Sequence, residues 1–222
     1  MNSSNRMLAL YFLIFVAVVP TFAAPSYFSF SGNFGHDDDR ADYLFSIVSP
    51  GVVEFRSWSY AGGIDPLLDI VPPGGFAPVL SLFDANGDLL AFDDGGVVGG
   101  APPDDCATGG RAQDAVSGLC LDAYAAVTLG EGSYRLVVTE QDNTPNGPTL
   151  ADGFALSGAG DFTDGPFIDA GGNLRSSYFF IVVGPVDDAQ PAPVPEPASI
   201  LLLASVVGLF FNRRLPGMLR RG

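Results

Sequence analysis

Lysine is absent from this chain, histidine occurs once, and cysteine occurs twice. No apolar run reaches the ~20 residues that a bilayer-spanning helix needs. Each scarcity excludes something. Without lysine there is no Schiff-base chemistry, and no Gly-x-Ser-x-Gly elbow offers a serine nucleophile. His36 alone would have to shuttle protons at neutral pH, and it sits in a polar loop, Gly35-His36-Asp37, where an imidazole is ordinarily just solvated. A carboxylate pair for glycoside hydrolysis has no motif around it, since Glu54, Glu131 and Glu140 fall at strand edges or turns. The expectation is a protein that is not an enzyme.

All ten basic residues are arginines, and five of them lie near the ends: Arg6, Arg213, Arg214, Arg220 and Arg221. Between residues 24 and 194, 24 acids face 5 arginines, a formal charge of −19. That surface repels nucleic acid and anionic head groups and suits divalent cations. Cys106 and Cys120 flank a Gly/Asp-rich stretch outside the apolar runs. In an exported chain the pair is expected to form a disulfide, worth roughly 3 kcal/mol on the chain-entropy model.

Residues 1–23 follow the secretory pattern. Arg6 precedes 12 apolar residues, Leu8 to Val19, and Pro20 precedes small residues at Thr21 and Ala23. The partners this implies are the secretion machinery and signal peptidase. At the other end, residues 186–194 read as a Pro-rich spacer ahead of Pro195-Glu196-Pro197, 14 apolar residues (Ala198–Phe211), and Arg213 and Arg214. An apolar helix of that length covers only about 21 Å. By the positive-inside tendency its arginines stay cytoplasmic and the acidic domain lies outside.

That order of motif, apolar helix and arginine cluster closely resembles the PEP-CTERM sorting signal of Gram-negative bacteria. The resemblance implies recognition by an exosortase and residence in the inner membrane through residues 198–211 during transit. It further implies transfer to the cell surface or the extracellular space, in a host that makes exopolysaccharide and biofilm.

Residues 24–185 read as one β domain, with alternation and aromatic or β-branched enrichment and no sustained helical period. Strands are predicted at 27–31, 42–48, 52–60, 78–83, 88–92, 123–129, 133–140, 153–157 and 176–183, separated by Gly/Pro/Asn turns. The last, apolar on both faces, is expected to be central. The expected fold is all-β, an antiparallel two-sheet sandwich of jelly-roll type. An N-terminal signal helix and a short C-terminal transmembrane helix would flank it. Several segments carry a family likeness: Phe28-Ser29-Phe30-Ser31-Gly32-Asn33-Phe34, Arg56-Ser57-Trp58-Ser59-Tyr60-Ala61-Gly62-Gly63, Pro78-Val79-Leu80-Ser81-Leu82-Phe83-Asp84 and Gly132-Ser133-Tyr134-Arg135-Leu136. They resemble the DVUA0089-type domain, itself similar to the bacterial pre-peptidase C-terminal sandwich domain. The resemblance implies a non-catalytic secreted sandwich.

Two ligand chemistries are written into the middle. Asp84-Ala85-Asn86-Gly87-Asp88 spaces oxygen ligands like the start of a calcium loop, although Gly95 stands where an EF-hand glutamate would be. Asp37, Asp38, Asp39 and Asp42 form a second acid cluster, and Asp93 and Asp94 a third. These nine are the candidate Ca2+ ligands; a hairpin turn and solvated acids explain the same pattern. Trp58 and Tyr60, two residues apart, are candidates for stacking on a sugar such as exopolysaccharide, or else for the core.

Overall fold

The computed structural model describes residues 26–95, 106, 110–159, 167 and 172–193. The signal segment, Pro195-Glu196-Pro197, the 198–211 run, Arg213 and Arg214 lie outside the described residues.

Alternation sets the strands. Tyr43, Phe45 and Ile47 on one strand and Val53 and Phe55 on the next are all buried, while the residues between them are exposed or half-buried. In chain order the strands are β1 (Ser26–Asn33), β2 (Ala41–Ile47), β3 (Gly51–Ser57), β4 (Gly63–Ile64), β5 (Ile70–Val71) and β6 (Pro78–Phe83). Then follow β7 (Leu89–Asp93), β8 (Tyr124–Leu129), β9 (Gly132–Glu140), β10 (Tyr178–Val186) and β11 (Asp188–Pro191). They form a four-stranded sheet in the order β1-β10-β3-β8, a five-stranded sheet β11-β2-β9-β6-β7, and a separate two-stranded ribbon β4-β5. Every pairing between strands is antiparallel. The two large sheets close a sandwich around Tyr43, Phe45, Phe55, Leu80, Leu136, Ile181 and their neighbours. Among the described residues there is no α-helix; a 3-10 turn spans Leu150–Asp152.

The short Gly/Pro turns do more than reverse the chain. Ser49-Pro50 and Gly130-Glu131 each carry it from one sheet to the other, so β2 and β3, like β8 and β9, belong to opposite sheets. The predicted central strand is β10, paired on both sides. Its inward residues Phe179, Ile181 and Val183 join the main core, and Val182 packs outward under Trp58 and Val71.

Three sequence expectations shift. The strand predicted over 52–60 stops at Ser57, because the Asp122 carboxylate takes the N–H groups of Tyr60 (3.0 Å) and Ala61 (2.9 Å) and turns the chain aside. No strand forms at 153–157. Asp152 Oδ2 accepts from the Thr149 N–H and hydroxyl at 2.9 and 2.8 Å, and Gly153 at φ 73° continues the turn. Phe154 then plugs the outer side of the five-stranded sheet against Phe83 and Val137. The expected spacer is partly strand: residues 188–191 are extended, and pair with β2 as β11.

Candidate cation site at the loop end

The sandwich gathers its long connections at one end. Asn33 pairs with Tyr178 there, Ser57 with Ile181, and Glu140 with Pro78. An aromatic plug closes this end: Phe34 stacks on Phe76 at 5.2 Å and contacts Phe179 at 5.0 Å, and its N–H donates to Ser177 O. Beyond Phe34 the chain tightens into a turn held by Asp39, whose Oδ2 accepts the N–H groups of Gly35 (2.6 Å) and His36 (3.0 Å).

That turn collects acids. His36, Asp38 and Asp39 each offer a ligand atom, all within 4.8 Å of one another. The His36 Nδ1 lies 3.7 Å from Asp39 Oδ1. Asp37 turns inward and is only 3 % exposed. Next to it electrostatically is Glu140, the last residue of β9, 7 % exposed. Burial pushes the Glu140 carboxyl up to about 8, and the negative charges of Asp142 and Asp37 add to the rise; N–H donation from Asp142 and Asn143 offsets part of it. Among the described residues only His36, Asp38 and Asp39 bring their ligand atoms together, while Asp37 and Asp142 act on Glu140 through their charge. Carboxylate oxygens such as these are the donors a hard cation such as Ca2+ takes. His36 at the rim adds a nitrogen, which calcium seldom uses and zinc favours.

The other predicted ligands lie elsewhere. Asp42, on β2, already has cations, with Arg135 Nη1 at 2.6 Å and Arg40 Nε at 3.3 Å. It lines an open groove of about 460 Å³ with Arg40, Arg135, Tyr43 and Pro191–Pro193. Asp84, Asn86 and Asp88 form the β6–β7 hairpin at the opposite end. Asp84 Oδ1 accepts the N–H groups of Asn86 (2.8 Å) and Asp88 (2.9 Å), and the Asn86 amide donates to Oδ2. Those bonds, Asp88's first, hold the Asp84 carboxyl below its ordinary value. The turn is satisfied by its own residues. Asp93 ties β7 to β8 by accepting from Gly95 (2.8 Å) and Tyr124 (3.3 Å), and burial raises its pKa. Asp94 is buried beside it. The nine predicted ligands, eight aspartates and Asn86, thus occupy four places, and of these only the Asp37–Asp39 turn holds a cluster with metal-ligand spacing, Asp38 and Asp39 with His36.

Trp58 and Tyr60 are 6 % and 0 % exposed and belong to different clusters. An arginine covers each ring: the Arg56 guanidinium carbon is 4.5 Å from the Trp58 centroid and Arg175's is 3.9 Å from that of Tyr60. Neither ring is free to stack on a sugar, because the surface a sugar would use is already packed. Cys106 and Cys120 are disulfide-bonded.

Sequence reading passed over two polar centres. Glu140 and Asp142 were legible as an acid-rich turn, Thr139-Glu140-Gln141-Asp142-Asn143, closing a strand. The second, a buried ion pair, had no signal, since its partners Asp114 and Arg175 are 61 residues apart. Arg175 donates to both Asp114 oxygens, at 3.2 and 2.7 Å. Nearby, Asp122 accepts from Ser57 (2.7 Å), Tyr60 and Ala61, with its pKa raised by burial.

No protein-family model and no curated protein matches the chain. Among solved structures the chain is similar to the pre-peptidase C-terminal domain of a collagenase from Bacillus anthracis, with 9 % identity and a TM-score of 0.32. That similarity covers 73 % of this chain and 88 % of the other.

Proposed function

We propose that this chain is a non-enzymatic surface or matrix module of a Gram-negative bacterium, exported through its signal segment. A divalent cation, calcium, steadies its loop end, and exosortase sorts it through Pro195-Glu196-Pro197. The observation that carries the cation reading is Glu140, driven toward protonation first by burial and then by the like charges of Asp142 and Asp37, next to a turn where His36, Asp38 and Asp39 bring ligand atoms within 4.8 Å of one another. A cation held there by Glu140, Asp37 and Asp142, beside the Asp38–Asp39 turn, removes that repulsion. Export is supported by the Cys106–Cys120 disulfide, since such bonds persist in oxidising compartments. The test is thermal unfolding at pH 8. Calcium at millimolar concentration raises the melting temperature and chelator reverses the rise; no shift sinks the cation reading. The sorting reading is checked by the mass of the surface-exposed protein, and a retained Arg213–Arg214 tail overturns it.

One observation favours a second role for the same module. The groove holding Arg40 and Arg135 places two of the domain's five arginines on one surface. Guanidinium groups suit the carboxylates of an acidic exopolysaccharide. Binding to a polyuronate that is lost on Arg40→Ala supports this role; undiminished binding removes it.

A further inference from the structure

The β4–β5 ribbon reverses the usual distribution of residues. One of its two acids is inside: Asp65, 2 % exposed, turns Oδ1 to the N–H groups of Leu67 (2.9 Å) and Asp69 (2.8 Å), while the Asp69 side chain is exposed. Its aliphatics are outside: Ile64, Leu67, Leu68 and Ile70 are 64, 44, 81 and 83 % exposed. Leu68 at the tip takes φ 70°, the one non-glycine residue with positive φ among those described. A β-carbon there is strained, and such strain persists where surrounding structure imposes it. The base of the ribbon is fixed, with Val71 packed on Trp58 and Val182. Four large aliphatics are therefore held out in water by a rigid, acid-braced turn.

Where the ribbon sits says what it meets. It leaves the sandwich after Ser57, at the loop end. The chain departs from this same end: Ala192 donates its N–H to Asp42 O beside the start of β2. Only four residues separate Pro193 from the apolar run that opens at Ala198, and four residues reach at most about 14 Å. With that run in a bilayer, the loop end is held close to the lipid surface. Charge argues against a second copy as occupant, because a domain of formal charge −19 repels itself. The same charge disfavours anionic lipid. We infer that Ile64, Leu67, Leu68 and Ile70 dip into the interface of an uncharged (zwitterionic) bilayer, docking the loop end of the domain on the membrane while its tail is anchored. The inference rests on the proposed membrane-held tail.

The test uses the whole chain in phosphatidylcholine vesicles, with Leu68→Cys carrying an environment-sensitive dye. Cys106 and Cys120 are bonded to each other, so the label goes to position 68. The expected result is a blue-shifted emission, quenched by lipid-borne quenchers and lost on adding Ile64→Asp and Ile70→Asp. These positions are exposed, and an unchanged melting temperature shows that the variant still folds. If the chain floats with the vesicles while the dye reads water, the inference is overturned and the tail reading stands. If the chain does not float, both fall. A shift that fades when protein is diluted at fixed lipid assigns the ribbon to contact between copies, and that also overturns the inference.

Discussion

Asp114 and Glu140 are both acids buried in this one domain, at 2 % and 7 % exposure, and their ionisation is driven in opposite directions. Burial opposes the charge of each. At Asp114 it is outweighed by hydrogen bonds from Arg175 and from the Ser117 N–H and hydroxyl, and the carboxyl ends well below its usual range. At Glu140 the neighbouring charges are those of Asp142 and Asp37, so burial and repulsion act together and the carboxyl rises to about 8. Arg175 serves the first, whereas the charges that act on the second are those of acids. What separates a structural acid from a candidate binding acid is therefore the sign of the charge beside it, and burial alone does not distinguish them.

Breaking the satisfied member of the pair has the largest effect. Arg175→Met leaves Asp114 buried without its guanidinium and strips the Tyr60 ring of its covering cation. Urea unfolding is expected to show a loss of about 3–5 kcal/mol. Adding Asp114→Asn to that variant recovers part of the loss, since removing both charges costs less than stranding one. Asp114, depressed in the folded state, contributes stability that is present at neutral pH and lost as pH falls below about 4. The acid limb of the wild-type pH profile is correspondingly shallower in the Asp114→Asn/Arg175→Met protein.

Supplying the missing cation at the other acid comes next. Glu140 is raised in the folded state, so between its ordinary 4.5 and about 8 the folded protein holds a proton that the unfolded chain has released. Stability then falls as pH rises through that window. Calcium is expected to flatten this fall, adding about 2.7 kcal/mol at a concentration one hundred times its dissociation constant. Unfolding followed from pH 5 to pH 9, with and without calcium, measures it. Two parallel curves would show that no cation binds at Glu140.

The legibility of the molecule follows the range of the interactions. Period-two alternation is local, and it showed β2 and β9 directly, as the unbroken apolar run showed β10. The Asn86-Gly87 turn is equally local, and the Asp84 carboxylate is a partner of the turn's own backbone. The end of β3 at Ser57 was hidden, because it depends on Asp122, 62 residues from Tyr60. Strand β11 was hidden as well: Asp-Ala-Gln-Pro has no strand pattern, and only an open edge on β2 makes it one. At the candidate site the Asp37–Asp39 run was visible as charge density. Glu140 joins it through the strand register, which composition does not encode.

Neutralising Glu140 without moving it is the smallest and most pointed change. Glu140→Gln keeps the shape and an acceptor for the Asp142 N–H, a bond of 2.9 Å in the wild type. It removes the charge that Asp142 and Asp37 oppose. At pH 5 the wild-type carboxyl already carries its proton, so the two proteins should unfold alike. At pH 8 the variant should be the more stable, by about 1 kcal/mol if one unit of the upward shift survives local relaxation. Calcium should raise its melting temperature less than that of the wild type, because one ligand oxygen has lost its charge. A variant less stable than wild type at pH 8 would mean that Glu140 is held by attraction, as Asp114 is, and the contrast between the two acids would collapse.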